Sequence, residues 1–142
     1  MKNVYIKNFL QFRQTLKSGM VLRRVWFHKI GVPEAYDREV LKVQTNGFWL
    51  EDLDCEVQND QGLWCDWGTS KDWVFKDGRV YMIFNHERDY EQKKESLPPT
   101  GFEQYKLRYA NYLKTLFTTL TIKDFKVLAI YEVLENEETA QQ

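Results

Sequence analysis

Turn signals between strand-like runs constrain this chain more than any other sequence feature. Asn46-Gly47 and Asp77-Gly78 each lie between two runs rich in β-branched and aromatic residues. Dipeptides of this kind favour type I′ hairpins, because both central residues take positive φ there. A third turn, residues 59–62, precedes another such run. Together with a strand predicted at residues 20–29, these turns indicate an antiparallel meander of five or six short strands over residues 20–84.

A two-residue turn also fixes the register of a hairpin, because facing residues share one face of the sheet. The predicted pairs are Val74–Tyr81 and Trp73–Met82 across the Asp77-Gly78 turn, and Thr45–Phe48 and Val43–Leu50 across the Asn46-Gly47 turn.

Apolar spacing predicts a helix on each side of the meander. Apolar residues recur at helical intervals from Ile6 to Leu16, and Gly19 can end the helix in a left-handed conformation, so we expect a helix over residues 6–17. Thr100 and Glu103 fit a capping box, and the apolar stripe that follows predicts a helix over residues 101–118. The other expected segments are a charged connector at 85–99, a final strand or helix at 125–134 and a tail at 135–142.

These elements predict a single α+β domain over residues 1–142. Its twisted or barrel-like antiparallel sheet has five or six strands, with the N-terminal helix and the long C-terminal helix packed on it. The chain is 43% hydrophobic and 29% charged, a composition that excludes general disorder. Since it shows no apolar run of membrane-spanning length and no apolar signal core, we expect a cytoplasmic protein.

The formal net charge of −1 hides an asymmetry along the chain. Residues 1–30 contain seven bases and no acid, whereas residues 31–72 contain ten acids and three bases, a charge of −7. Such a split is typical of an interaction surface. Alternatively, the two segments lie side by side in the sheet and neutralise each other.

A row of acids provides the first candidate interaction site. Asp52, Asp54 and Glu56 alternate along one predicted strand, so they share a face at a spacing of about 6.8 Å. Such a row resembles the phosphates of a nucleic-acid strand and could occupy the basic channel of a nuclease. The alternative is an edge strand that charge protects from aggregation. A calcium site is disfavoured, because carboxylates along a flat strand do not converge.

Three tryptophans provide the second candidate. Trp64, Trp67 and Trp73 lie within ten residues of one another, beside the loop at residues 68–71. Tryptophan is enriched where binding energy concentrates, so the cluster predicts a contact site for a protein partner. The alternative is that these rings belong to the core.

Basic residues provide an alternative site for nucleic acid. Arg23 and Arg24 adjoin Trp26 and Phe27, and alternating cations and rings suit single-stranded nucleic acid. The alternative is an amphipathic strand with Val25 and Phe27 buried and Arg24 in solvent. The nucleic-acid hypothesis uses Arg13, Lys17, Arg23, Arg24 and Lys29.

The two cysteines, Cys55 and Cys65, stand opposite each other if the loop at residues 58–62 closes symmetrically. A disulfide would fit there, but we expect two small core residues because the predicted compartment is reducing. With His28 and His86, the cysteines supply the ligand types of a zinc site without its paired spacing.

Catalytic motifs for acyl transfer, nucleotide binding and zinc proteolysis are also missing from the sequence. We therefore predict no enzyme, no metal and no cofactor.

Several short runs give the chain a family resemblance. They are Leu-Lys-Ser-Gly at 16–19, Val-Gln-Thr-Asn-Gly-Phe at 43–48, Trp-Gly-Thr-Ser-Lys-Asp-Trp at 67–73 and Phe-Lys-Asp-Gly at 75–78. In these runs the sequence resembles small accessory proteins of phages and mobile elements in low-GC Gram-positive bacteria. The resemblance implies a protein that binds a host or phage target, and inhibitors of CRISPR nucleases are one such group. It assigns no functional residue.

The sequence therefore predicts a non-enzymatic binding protein that occludes a host protein, with a CRISPR or other defence nuclease as one candidate target. Its predicted partner-binding residues are Asp52, Asp54, Glu56, Trp64, Trp67 and Trp73. The alternative is a single-stranded nucleic-acid-binding or regulatory module that uses the basic N-terminal segment. We expect no membrane partner.

Overall fold

The computed structural model describes residues 1–52, 62–85, 107 and 120–136. One α-helix, one 3₁₀ turn at Ser70–Asp72 and nine strands occur among these residues. The helix is α1 (Phe9–Thr15), and the strands are β1 (Lys2–Val4), β2 (Val21–Phe27), β3 (Tyr36–Val43), β4 (Gly47–Leu50), β5 (Leu63–Asp66), β6 (Trp73–Lys76), β7 (Arg79–Ile83), β8 (Thr121–Ile122) and β9 (Phe125–Glu135).

All strand pairs are antiparallel and belong to one curled sheet in the order β5-β4-β3-β2-β9-β7-β6. Strands β1 and β8 also pair with β9. The predicted meander is correct from β2 to β5, where each strand pairs with the next one along the chain. It fails between β5 and β6, because β9 inserts between β2 and β7 and provides the centre of the sheet.

The α+β prediction is wrong, because the fold is mostly β. Strands account for 52% of the described residues, and the one helix among them has seven residues. No long C-terminal helix occurs in this part of the chain, and the helix predicted at 101–118 lies outside the described residues except for Leu107. Long-range pairing shifts the balance towards β structure, since it makes Phe125–Glu135 an 11-residue central strand. The predicted connector and tail fall outside the described residues beyond Asn85 and Asn136.

Helix α1 forms where apolar spacing predicts it, but it is shorter than expected. Its N-cap is Asn8, whose side chain accepts a hydrogen bond from the Gln11 backbone N–H at 2.8 Å. The Gln11 side chain in turn accepts a bond from the Lys7 N–H at 2.6 Å. These reciprocal bonds fix the start of the helix at Phe9. The buried residue of the helix is Phe12. No helix in the described part of the chain is both long and apolar enough to span a membrane.

The main core forms around Phe12 on the concave face of the sheet. The Phe12 ring meets four other rings with centroids 5.3–6.4 Å away: Phe48, Trp67, Trp73 and Phe75. These rings come from β4, from β6 and from the chain between them. Through Phe12, helix α1 therefore contacts strands near both ends of the sheet.

A second cluster contains Val74, Ile83, Val127 and Ile130. Because Val74 alternates with Trp73 and Phe75, this cluster lies on the opposite face.

The β6–β7 hairpin has the predicted register. Val74 faces Tyr81, and Trp73 faces Met82. The turn residues Asp77 and Gly78 have φ of 54° and 80°. A type I′ turn requires these positive φ angles, so the Asp-Gly signal is confirmed.

The predicted register of the β3–β4 hairpin is wrong. Val43 rather than Thr45 faces Phe48, and the Gln44 N–H bonds to the Gly47 carbonyl at 2.8 Å. Gly47 is not free to act as a turn residue, because it is the first residue of β4 and faces Asp66 of β5. A Cβ there would lie 2.3 Å from the Cys65 carbonyl oxygen and 2.7 Å from the Trp64 ring, so glycine permits the close approach of β5.

The arrangement that would place Cys55 opposite Cys65 does not occur. Leu50, the last residue of β4, faces Leu63 of β5. Cys65 faces Phe48 instead of Cys55, and it is a free thiol. Cys55 itself lies outside the described residues.

Candidate functional site

The structure separates the three predicted tryptophans. Trp67 and Trp73 are buried in the main core, and each indole N–H donates to a backbone carbonyl: Trp67 to Gln44 at 3.1 Å and Trp73 to Trp67 at 2.7 Å. These bonds satisfy the polar atom of each ring, as buried tryptophan requires. Burial therefore favours the core alternative for these two. Trp64 lies at the surface, with 37% of the residue exposed.

Trp64 belongs to an exposed apolar strip on β5. It faces Trp49 across the β4–β5 pair, with ring centroids 5.1 Å apart, and its own ring covers Gly47. The preceding residue, Leu63, is 40% exposed and points to the opposite face of the sheet, so the strip includes both faces of this strand. We call Trp49, Leu63 and Trp64 the β5 edge surface. In the part of the chain that the structure describes, β5 pairs with β4 alone, so its other backbone edge has no strand partner there.

Only the first residue of the predicted acidic row, Asp52, belongs to the described residues. Strand β4 ends at Leu50, but Glu51 is still bonded to β3: its backbone N–H donates to the Glu39 carbonyl at 3.0 Å, and its carboxylate accepts the Glu39 N–H at 2.9 Å. Asp52 follows as a half-buried residue outside any strand. Asp54 and Glu56 lie outside the described residues. In sequence, all three acids lie between β4 and β5.

Two predicted basic site residues bind acceptors within the same protein. Arg23 donates two hydrogen bonds to the Asp37 carboxylate, at 2.8 and 3.0 Å. Arg13 donates to the Thr45 carbonyl at 3.2 Å and lies over the Phe9 and Trp67 rings. Lys17 and Lys29 are exposed. The Arg23–Asp37 pair joins the basic segment to the acidic segment, as the neutralisation alternative expects.

Arg24 lies in the interior, so the interpretation that placed it in solvent is wrong. Only 8% of Arg24 is exposed, whereas Val25 and Phe27 are partly exposed. Arg24 points to the same face as Leu22, and a bulge at Val25 shifts the register with β9. The guanidinium lies 3.9 Å from the Phe27 ring centroid and 5.1 Å from that of Tyr36. These two rings and the backbone carbonyls of Pro33 and Glu34 surround the Arg24 guanidinium, which the sequence pattern had placed at the surface.

Arg24 is part of a polar group on the concave face. Arg38 lies 4.8 Å from the Tyr36 ring, and Tyr131 faces Arg24 on the neighbouring strand. Burial raises the pKa of the Tyr131 phenol, and it raises the pKa of the Cys65 thiol to about 11. Cys65 is therefore a neutral thiol near pH 7, and the thiolate is the nucleophilic form.

A small cleft lies between β1 and the β6–β7 turn. Its volume is about 210 Å³, and Tyr5, Asp77, Arg79 and Glu132 contribute to its lining. This is below the roughly 300 Å³ at which ordinary small-molecule sites begin. Arg79 and Glu132 form an ion pair within it at 3.6 Å. Elsewhere, no three histidine, cysteine or acidic side chains of the described residues come together as a metal site would require.

No family model, no curated protein and no solved structure matches the chain. The candidate site therefore depends on the residues and geometry of this chain alone.

Proposed function

We propose that this chain is a non-enzymatic binding protein of phage or mobile-element type that occludes a host protein in the host cytoplasm. A CRISPR or other defence nuclease is the class of target to test first. The observation that carries the proposal is the β5 edge surface, where Leu63 and Trp64 are exposed on a strand at the end of the sheet order. The resemblance to phage accessory proteins supports the same class of function.

An edge strand with an exposed tryptophan suits a protein partner. A strand of the partner can add to β5 through backbone hydrogen bonds, while Trp64 anchors it through buried apolar area. The Trp49 ring supports the Trp64 ring from the neighbouring strand, so little side-chain freedom is left to lose on binding.

The acidic connection between β4 and β5 supports a basic target. Asp52, Asp54, Glu56 and Asp60 all lie between Leu50 and Leu63 in sequence. Acids next to a contact strand steer a protein towards a positively charged partner surface. Nucleases carry such surfaces because they bind a polyanion.

Single-stranded nucleic-acid binding is the alternative function. Its predicted residues are less available than the sequence suggests, since Arg23 is paired with Asp37 and Arg24 is buried. This alternative predicts binding that weakens steeply as salt rises.

Affinity capture from a bacterial host lysate, with and without nuclease treatment, separates the two functions. A partner identified by mass spectrometry and then purified should bind the wild-type chain directly. The Trp64→Ala variant should bind at least about tenfold more weakly, because a tryptophan anchor carries a large share of interface energy. Leu10→Ala removes another exposed apolar side chain, on α1, and should leave the affinity unchanged.

Three results would overturn the proposal. Capture that depends on nucleic acid would favour the alternative function. Equal losses in Trp64→Ala and Leu10→Ala would remove the β5 edge surface as the contact site. Failure to capture any protein that binds directly after purification would reject the function itself.

A further inference from the structure

The β2–β3 loop, residues 28–35, exposes two aliphatic side chains at its tip. Ile30 is 71% exposed and Val32 is 38% exposed. Gly31 lies between them with φ of 83°, and a Cβ built there would have no atom within 4 Å. The tip therefore projects away from the body of the protein, with aliphatic groups on both sides of the glycine.

The base of this loop is held by Arg24. The guanidinium donates to the Pro33 carbonyl at 2.8 Å and to the Glu34 carbonyl at 3.4 Å. It also lies on the rings of Phe27 and Tyr36, which are the last residue of β2 and the first residue of β3. The buried Arg24 side chain thus contacts the end of β2, the start of β3 and the C-terminal half of the loop between them.

The N-terminal end of the loop is fixed to a different strand. The His28 backbone N–H donates to the Leu128 carbonyl at 3.0 Å, and His28 Nδ1 lies 2.7 Å from the same oxygen. The loop is therefore attached to β9 at its start and to Arg24 near its end. Between these attachments residues 29–32 are exposed, and Lys29 forms a β-bridge.

Arginine is suited to this role in a way that lysine is not. Its planar fork donates to two acceptors at once while its flat face lies on aromatic rings, and its charge tolerates partial desolvation better. Lysine presents a point charge that cannot make both contacts in the same geometry.

The chemistry of the loop selects its partner. Residues 28–35 contain one base, Lys29, and one acid, Glu34, so their formal charge is zero with His28 neutral. A neutral loop has no attraction for nucleic acid or for an anionic bilayer. It also contains no tryptophan or tyrosine of the kind that anchors proteins at membrane interfaces. Two exposed aliphatic side chains instead match an apolar pocket on a protein.

We infer that Arg24 is a positioning residue that holds the β2–β3 loop in one conformation, and that this loop inserts Ile30 and Val32 into an apolar pocket of a protein partner. The insertion rests on the proposed protein-binding function, whereas the positioning by Arg24 does not. A loop that is fixed before binding loses less conformational entropy when it docks.

Amide ¹⁵N relaxation of the free protein tests the role of Arg24 without any partner. In the wild type, the amides of residues 29–32 should have order parameters close to those of the strands, about 0.85. In Arg24→Met they should fall below about 0.6, the range of flexible backbone. Arg23→Met removes the adjacent arginine, which bonds to Asp37 instead, and should leave the loop unchanged.

A second variant guards against general unfolding. Arg24→Lys keeps the positive charge and should loosen the loop while the β2, β3 and β9 amides keep their wild-type chemical shifts. Low order parameters for the loop in the wild type would overturn the role of Arg24. Wild-type order parameters in both Arg24→Met and Arg24→Lys would overturn it as well.

The insertion is tested with the protein captured and purified as described above. Ile30→Asp should weaken its binding at least about tenfold, because a charge would have to enter an apolar pocket. Lys29→Ala is the matched control within the loop and should have little effect. If Trp64→Ala weakens binding and Ile30→Asp does not, the insertion is wrong and the β5 edge surface stands. If no protein is captured, the proposed function and the insertion both fail, while the relaxation data still decide the role of Arg24.

Discussion

The Arg23 guanidinium binds the Asp37 carboxylate across the β2–β3 pair through both ends of the fork, Nε to Oδ1 at 2.8 Å and Nη2 to Oδ2 at 3.0 Å. The two residues also face each other in register. On the other side of Arg23, Glu132 of β9 faces it and forms a 3.6 Å pair with Arg79 of β7. Charges therefore alternate across β3, β2, β9 and β7, and this row stabilises the order of the strands.

The Arg23–Asp37 pair should appear in the titration of Asp37. The hydrogen bond from Arg23 lowers the pKa of the Asp37 carboxyl below its ordinary value of 3.8. In Arg23→Gln, this pKa should rise towards 3.8, which NMR titration of the side-chain carboxyl carbon would detect. Because the folded-state pKa is the lower one, the pair's contribution to stability is complete above the unfolded pKa and is lost as pH falls through the folded one. An unchanged Asp37 titration in the variant would contradict the assignment.

Removal of the Phe12 ring should destabilise the whole sheet. Phe12→Ala deletes a buried ring that contacts Phe48, Trp67 and Trp73, so it leaves a cavity where the two ends of the sheet order meet. We expect the free energy of unfolding to fall by about 3–5 kcal/mol in urea titrations followed by tryptophan fluorescence. Leu10→Ala, on the exposed side of the same helix, should change it by less than about 0.5 kcal/mol. Similar losses in both variants would mean that α1 does not close the core through Phe12.

Two glycines with the same backbone conformation should differ in their tolerance of alanine. Gly31 and Gly78 have φ of 83° and 80°, but only a Cβ at Gly78 meets another atom, the Tyr5 ring at 2.6 Å. Gly31→Ala should therefore cost roughly 1–2 kcal/mol of folding free energy from φ alone. Gly78→Ala should cost more, and combining it with Tyr5→Ala should recover the difference. Thermal unfolding of the wild type and these three variants would decide this, and equal costs for the two alanines would refute the Tyr5 contact.

His28 should make the protein less stable in mild acid. Burial lowers the pKa of its imidazole, and the charges of Lys29 and Arg24 lower it further, against the bond to Leu128. Below pH 6.5 the unfolded chain therefore takes up a proton before the folded one does. The contribution of His28 to the free energy of unfolding should therefore be constant well above pH 6.5. It should fall as the pH drops towards the folded-state pKa. In His28→Gln the slope between pH 7 and 5 should be smaller, and an equal slope would show that other groups cause it.

Cys65 should be protected from alkylation in the folded state. Its pKa of about 11 leaves little thiolate at neutral pH, and the side chain is partly buried beside Phe48. In a Cys55→Ser background, iodoacetamide should modify the native protein slowly at pH 8 and the urea-unfolded protein rapidly. Rapid labelling of the native protein would mean that the concave face is open to solvent at Cys65.

Local signals in the sequence predict the parts of the fold that depend on neighbouring residues. The β6–β7 register follows from Asp77 and Gly78, because each adopts the positive φ that the turn requires. The Asn46-Gly47 signal misleads because a long-range contact, the approach of Trp64, determines the role of Gly47. Turn propensity contains no information about such a contact.

The candidate site was predictable only in part. Trp64 belongs to the predicted tryptophan cluster, but composition does not distinguish an exposed tryptophan from the buried Trp67. The role assigned to Arg24 was not predictable, because arginine normally lies in solvent and the bulge at Val25 interrupts the alternation of β2. One usable signal was present: the aliphatic residues Ile30 and Val32 flank a glycine in a loop between two strands.

Strand β9 also has consequences for how the protein is made. It follows the other eight strands of the described residues along the chain, yet it is the pairing partner of β1, β2, β7 and β8. While a ribosome synthesises the chain, β2 and β7 emerge long before the strand that joins them, so their edges stay open to chaperones, proteases and neighbouring nascent chains. The sheet can close only after Phe125–Glu135 has left the exit tunnel. Synthesis of this last strand therefore decides when the sheet is first complete.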